Sequence, residues 1–153
     1  MEYTFSITRR SREILLGYLE NYTLEQLNII PEGFNNNMYW NIAHVVVSQQ
    51  RLVYALSGVP EEMTVSDEMV KSYMRGTRPE RDVTAEEVAE LKKLLFTTID
   101  KTEADYKNGL FKGYKEYTTE FGYTLHTVEE GMEFNNFHEG THLGCILSLR
   151  KFL

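Results

Sequence analysis

The sequence has few of the residues that mark disulfide-linked or linker-rich proteins. Cys145 is the only cysteine among 153 residues, so the chain cannot form an internal disulfide. This is typical of proteins in the reducing cytoplasm, which is the location we predict. Only three prolines are present, and no low-complexity linker or internal repeat interrupts the chain. We therefore expect residues 1–153 to form a single domain.

Long apolar runs are also missing. No uninterrupted apolar segment approaches the roughly 18 residues that a membrane-spanning helix needs. The first residues, Met1 to Phe5, lack a basic region followed by an apolar one. We therefore expect neither a secretion signal nor an association with membranes.

Basic residues are outnumbered by acidic ones. The chain has 16 Lys and Arg against 23 Asp and Glu, which gives a formal net charge of −7. No cluster of Lys and Arg is long enough to follow a phosphate backbone. Nucleic acid is therefore not an expected partner.

Apolar residues recur at helical spacing in four long segments, and this pattern predicts an all-α protein. The predicted helices cover about residues 5–21, 35–57, 84–107 and 127–150. Four long helices favour a four-helix bundle. Residues 58–83 form a long, irregular connection between the second and third long helices, which we expect to cross over one end of the bundle.

Shorter patterns refine this description. Thr23 and Thr84 each begin a capping box, in which side chains satisfy the free backbone N–H groups at a helix start. Ile7 and Ile14 lie on the face of the first helix that we expect to pack inward. Residues 112–124, rich in tyrosine, threonine and glycine, predict an extended loop or a short hairpin.

Three of the four histidines are spaced as a metal site would require. His138 and His142 are four residues apart on the last predicted helix, so both imidazoles stand on one face. His44 lies in the middle of the second long helix, whose wide apolar coverage predicts burial. We therefore predict that His44, His138 and His142 converge on a divalent metal ion. His126 lies well before His138 along the chain, and we expect it to have a surface or helix-capping role.

The segment 138–142 also matches the His-Glu-x-x-His motif of zinc proteases, in which the glutamate is the general base. The third ligand of those enzymes lies downstream, whereas no His, Asp or Glu follows His142 here. Glu139 lies about 100° round the helix from His138, so we expect it to face solvent or a neighbouring helix. Cys145 is a candidate fourth ligand, but the interpretation we favour is a small, buried apolar side chain.

Two segments resemble the DinB-like (YfiT-type) family of metalloproteins. They are Trp40-Asn41-Ile42-Ala43-His44 and, much later, Phe137-His138-Glu139-Gly140-Thr141-His142-Leu143-Gly144-Cys145-Ile146. The resemblance implies an up-down-down-up four-helix bundle, often a homodimer, in which His44, His138 and His142 hold a divalent ion such as zinc or nickel. Many members have glutamine where Cys145 stands, so any role of that glutamine is absent here.

The resemblance also implies a class of reaction. Some relatives use the ion to activate a low-molecular-weight thiol. We expect a divalent-metal-dependent enzyme that transfers a small thiol to an electrophile or carries out metal-assisted hydrolysis, with a small-molecule thiol or electrophile as its partner. The alternative is a non-catalytic stress-response or small-molecule-binding helical module with an empty or vestigial metal site. The sequence identifies no general base.

Overall fold

The computed structural model describes residues 1–153, and nearly all of its regular structure is helical. The α-helices are α1 (Glu2–Asn21), α2 (Leu24–Asn28), α3 (Met38–Gln50), α4 (Asp67–Tyr73), α5 (Ala85–Lys107) and α6 (Val128–Leu149). The prediction of an all-α protein is confirmed, and the four long helices lie close to their predicted positions. None of the helices combines the length and the apolar character that crossing a lipid bilayer requires.

Polar side chains define where the helices begin. The Thr23 hydroxyl accepts the backbone N–H of Gln26, whose side-chain oxygen accepts the N–H of Thr23 in return. Thr84 and Glu87 make the same reciprocal pair at the start of α5. Both predicted capping boxes are therefore confirmed. Asn37 begins α3 by accepting a backbone N–H from the first turn of that helix.

The α3 helix continues into a π-helical segment, Arg51–Ala55. At its end the N–H of Leu56 donates to the carbonyl of Arg51 at 3.2 Å, five residues earlier. A π-turn widens the helix locally and is frequent at functional sites, because it changes the direction in which side chains project. The end of the second long helix therefore has a different register from the regular helix that the sequence predicts.

The long helices pack around a shared apolar core. Helix α1 contacts α5 and α6, and α3 contacts the same two helices. The larger core cluster takes side chains from all four, including Leu15, Ile42, Leu95 and Ile146. Helix α3 is buried along almost its whole length, as its wide apolar coverage predicts.

The long connection between α3 and α5 is anchored to the rest of the molecule. It contains α4, which packs against α3, and the short 3-10 helix Pro60–Glu62. Val65 and Val83, on either side of α4, are both buried in the larger core cluster. This packing places the last residue of α4, Tyr73, beside α3.

Residues 112–124 include most of a short hairpin, which is one of the two forms predicted for this segment. Strand β1 (Tyr117–Thr118) pairs antiparallel with β2 (Thr124–Leu125). Aromatic side chains of the hairpin pack on α6, where the rings of Phe121 and Phe137 meet edge to face with centroids 5.3 Å apart. The hairpin therefore lies over the helix that carries the paired histidines.

The inward face of α1 differs from the prediction. Ile7 and Ile14 are 38% and 36% exposed, whereas Thr8 and Arg12 are buried. The prediction followed the apolar residues and placed charged residues outside, as is usual for arginine without a partner. Arg12 is buried because it has a partner on α6, and the helix is rotated accordingly.

Arg12 and Glu139 form a fully buried ion pair between α1 and α6. Nε of Arg12 donates to both carboxylate oxygens at 3.0 and 3.1 Å, and Nη2 donates to Oε1 at 2.8 Å. Nδ2 of Asn135 adds a further donor to Oε1 at 2.8 Å. The pair therefore holds the part of α6 next to His138 against α1.

Replacing Glu139 with glutamine should lower the free energy of unfolding by about 3 kcal/mol, because Arg12 would keep its charge in the interior without a carboxylate. Urea denaturation monitored by circular dichroism measures the change. Glu13→Gln, which breaks the exposed ion pair with Arg10, is the control and should change the value by less than about 1 kcal/mol. Equal effects of the two substitutions would contradict a stabilising role for the buried pair.

Candidate metal centre

Three imidazole rings meet between α3 and α6. The ring centroid of His44 lies 5.2 Å from that of His138 and 4.7 Å from that of His142, and the last two are 4.6 Å apart. Each residue offers one ligand atom, and the three atoms lie within 4.8 Å of one another. The structure therefore brings together all three residues that the sequence predicts as ligands.

His44 is held by contacts on two sides. Its Nδ1 lies 2.6 Å from the carbonyl oxygen of Tyr73. A carbonyl can only accept, so Nδ1 carries the proton and Nε2 keeps a lone pair. Trp40 stacks on the ring at 4.7 Å and 9°, and its indole N–H donates to Thr77 at 3.1 Å. The hydroxyl of Ser48 lies 3.2 Å from Nε2.

His142 is oriented by the side chain of Asn41, which is itself held by the backbone carbonyl of Asn37 at the start of α3. Its Nδ1 donates to Oδ1 of Asn41 at 2.9 Å, while Nδ2 of Asn41 donates to the carbonyl of Asn37 at 2.8 Å. The second bond sets which end of the Asn41 amide faces the ring, so Nε2 of His142 also keeps its lone pair. His138 has no such support, because its Nδ1 is buried without a hydrogen-bond partner in the protein.

The three rings are held in their neutral form near pH 7. Burial lowers the pKa of His138 to about 4 and that of His142 to about 3, and the neighbouring imidazoles add to both effects. The nearby Arg12 lowers the pKa of His138 further. Burial also lowers the pKa of His44, against the opposing effect of the Tyr73 carbonyl. Neutral imidazole is the form that binds metal ions.

A cavity of about 350 Å³ is lined by the three rings and opens beside them. Ser48 and Arg51 line it from α3 and the π-helical segment, while Phe121 of the hairpin and Phe134 of α6 supply apolar surface. This volume falls within the range of about 300–1,000 Å³ that is typical of small-molecule pockets. The candidate centre is therefore accessible to a small ligand and has both polar and apolar walls.

The other residues considered from the sequence lie elsewhere. Glu139 faces a neighbouring helix, one of its two expected positions, and its bonds to Arg12 hold it out of the cavity. It is therefore not placed to act as the general base of a zinc protease. The prediction that Cys145 is buried is wrong, because its side chain is exposed while Ile146 takes the buried position. His126 is exposed, as predicted, and lies 3.2 Å from a carboxylate oxygen of Glu116.

Several groups at the centre were not predicted. The Tyr73 carbonyl gives no sequence signal, because any residue carries the same backbone group. Asn41 and Ser48 did give such a signal, because both are polar residues within about one turn of His44 on a largely apolar helix. Arg51 lies two turns after His44 on the same side, but the sequence does not show that hairpin residues line the same cavity.

The arrangement provides three neutral nitrogen donors beside an open cavity. Three imidazoles are a ligand set that zinc, nickel, copper and iron accept, and such a set leaves coordination positions for water or a substrate. The donor chemistry therefore fits a divalent ion, and the bonds to Tyr73 and Asn41 are the outer contacts that usually orient histidine ligands.

Comparison with protein families identifies the family of this chain. A family model described as the DinB superfamily matches residues 7–146. No curated protein matches the chain. The matched range includes the whole of α3 and all three histidines of the cluster.

The stability of the metal-free protein should fall as the pH drops from 7 to 5. The pKa values of His138 and His142 are lowered in the folded state, so the unfolded chain takes up protons first, below about pH 6.5. We expect a loss of about 2 kcal/mol or more, measured by urea denaturation at each pH. The double variant His138→Leu/His142→Leu should show a shallower dependence, and His126→Gln should match the wild type. An unchanged slope in the double variant would contradict this origin.

Proposed function

Because the chain belongs to the DinB superfamily, we propose that it is a divalent-metal-dependent enzyme that transfers a small thiol to an electrophilic substrate. The observation that carries this proposal is the set of three neutral imidazoles facing a cavity of about 350 Å³. Metal-assisted hydrolysis would need the same centre, with water in place of the thiol.

We assign the metal ligands to His44, His138 and His142, with zinc or nickel as the expected ion. Two nitrogens that share an ion at about 2.1 Å can be at most about 4.2 Å apart. The ligand atoms of the cluster lie within 4.8 Å of one another, so small rotations of the rings would suffice. The pairing of Nδ1 with Tyr73 and Asn41 favours Nε2 as the ligand atom of His44 and His142.

The ion, when bound, would lower the pKa of a thiol or water and supply a nucleophile near neutral pH. The protein contributes position and surroundings. Trp40 covers one face of His44, and Phe121 and Phe134 give the cavity apolar walls that limit water. In the transfer, sulfur bonds to the electrophilic carbon, the leaving group departs with its electron pair, and the thiol proton passes to solvent. Ser48 lines the cavity beside His44, so we expect its hydroxyl to contact the substrate.

The proposal includes two features of the protein as a whole. The first is that α1, α3, α5 and α6 form an up-down-down-up four-helix bundle, which is consistent with the contacts of α1 and α3 with both α5 and α6. The second is a cytoplasmic location, which the single free cysteine favours.

Replacing His142 with alanine should abolish metal uptake and, with it, the reaction. Purified protein is loaded with zinc or nickel, and bound metal is measured by elemental analysis. Conjugation of 2-mercaptoethanol to 1-chloro-2,4-dinitrobenzene is then followed by absorbance. The wild type should bind one ion per chain and accelerate conjugation, and a chelator should remove both properties. His126→Ala is the matched control, because that histidine lies outside the cluster.

Each contrary result identifies the part of the proposal that fails. One equivalent of metal retained by His142→Ala would exclude the ligand assignment. Loaded wild-type protein that accelerates neither conjugation nor hydrolysis of activated esters would favour the alternative, a non-catalytic binding module. Activity that survives the chelator would exclude metal dependence.

We also propose that the protein is a homodimer that pairs through the exposed side of α6. Phe137, Gly140, Gly144 and Leu147 are spaced by three and four residues and are all exposed. Apolar and small residues at this spacing are typical of helices that pack closely against another helix. The two large side chains are 46% and 41% exposed, so a second copy would cover apolar surface that otherwise contacts water.

Leu147→Glu should convert the dimer to a monomer, because the substitution would place a charge in the proposed interface. Light scattering after size-exclusion chromatography should give twice the chain mass of 17.9 kDa for the wild type and one chain mass for the variant. Leu24→Glu, at a residue with 40% exposure on α2, is the control and should remain dimeric. A wild-type protein that is monomeric at micromolar concentration would contradict the proposal.

A further inference from the structure

The cavity at the candidate metal centre contains an arginine without a partner. Two arginines and one carboxylate line it: Arg51, Arg75 and Glu120. Arg75 and Glu120 form an ion pair with each other. Arg51 makes no side-chain hydrogen bond and no ion pair, and it is exposed at the start of the π-helical segment. With the three histidines neutral, the cavity therefore carries one net positive charge in a chain whose formal net charge is −7.

The position of Arg51 relative to the rings is set by α3. It follows His44 by seven residues, or two helical turns, which corresponds to about 10 Å along the axis. Both residues line the same cavity. Because they share this cavity and an arginine side chain is long, one small molecule can contact both the guanidinium and the three-histidine centre.

Part of the cavity wall is apolar. Phe121 and Phe134 line it, and Phe134 contacts the ring of His138 with centroids 6.4 Å apart. A ligand of this cavity therefore meets neutral nitrogen donors at one point, apolar surface along its body and a free guanidinium at another point. Guanidinium binds carboxylate or phosphate groups through two parallel hydrogen bonds.

We propose that the cavity selects small organic anions, with Arg51 binding the anionic group of the molecule that reacts at the three-histidine centre. Arg51 is then a specificity-determining residue, and this inference rests on the function proposed above. The expected ligand carries a carboxylate or a similar anion on a partly apolar body. This anionic group can belong to the thiol or to the electrophile.

The test compares an anionic and a neutral thiol of similar size. Isothermal titration calorimetry of zinc-loaded protein measures the Kd of 3-mercaptopropionate and of 2-mercaptoethanol. We expect the wild type to bind the acid about five- to tenfold more tightly, because the charge-assisted bond to an exposed arginine is partly screened by solvent. Arg51→Gln should remove this preference and leave the Kd of 2-mercaptoethanol within about twofold. High salt should weaken the preference in the wild type only.

Two variants serve as controls. Arg51→Lys keeps the charge and should retain part of the preference. Arg78→Gln removes an arginine that lines a different cavity and also lacks a partner, so it should behave as the wild type. Equal affinity of the wild type for both thiols, or equal losses of preference in Arg51→Gln and Arg78→Gln, would overturn the inference.

The binding measurements separate a failure of the proposed thiol transfer from a failure of anion selection by Arg51. If zinc binds and the neutral thiol binds, but the acid has no advantage, the inference alone fails. If the thiols do not bind at all, the proposed thiol transfer fails. Arg51 is then tested with the pair phenylacetate and 2-phenylethanol on the metal-free protein. Tighter binding of the acid that Arg51→Gln abolishes would still support anion selection, and equal binding would overturn it.

Discussion

Inside this protein a guanidinium and a carboxylate meet without contact with water. The pair between Arg12 and Glu139 links the first and last long helices, and its energy depends on both charges being present, because either one alone would be unsolvated. Glu139 directly follows His138 in the chain. Together with the buried Ile146 and Leu149, the pair therefore fixes the rotation of α6, in which His138 and His142 face α3.

A second set of contacts fixes the rings from the other side. Asn37 caps α3 through its side chain and, through its carbonyl, orients the amide of Asn41, which in turn accepts the Nδ1 proton of His142. Residues 37–41 therefore determine both where α3 begins and how the ring of His142 on α6 is oriented. His44 is oriented instead by the Tyr73 carbonyl, at the end of α4. The connection between α3 and α5 is therefore part of the candidate centre.

Much of the architecture and the central cluster could be predicted, because these depend on local or periodic signals. The capping boxes at Thr23 and Thr84 need only residues three apart, and the histidine pair needs only one helical turn. The rotation of α1 could not be predicted in this way. It depends on polar contacts with α6 between residues 127 and 128 positions apart, Arg12 with Glu139 and Thr8 with Asn136, which override the apolar pattern of Ile7 and Ile14.

The rest of the centre depends on groups that a single sequence does not distinguish. A backbone carbonyl such as that of Tyr73 has the same chemistry at every residue. Cys145 and Ile146 are adjacent on α6 and point about 100° apart, so only one of them can face the core. Tertiary packing, and not the local pattern, selects Ile146. The position of Arg51 two turns after His44 follows from helical spacing, whereas the hairpin residues that share its cavity are brought there by tertiary packing.

The cavity is assembled from parts that differ in how freely they can change. Its nitrogen donors lie on the long helices α3 and α6, whereas part of its wall is formed by Arg75 and Gly76 after α4 and by residues of the hairpin. Loops accept substitutions and insertions more readily than buried helices do. Ligand preference can therefore diverge during evolution through these two connections, while selection on the helices keeps the donor set and its orientation intact.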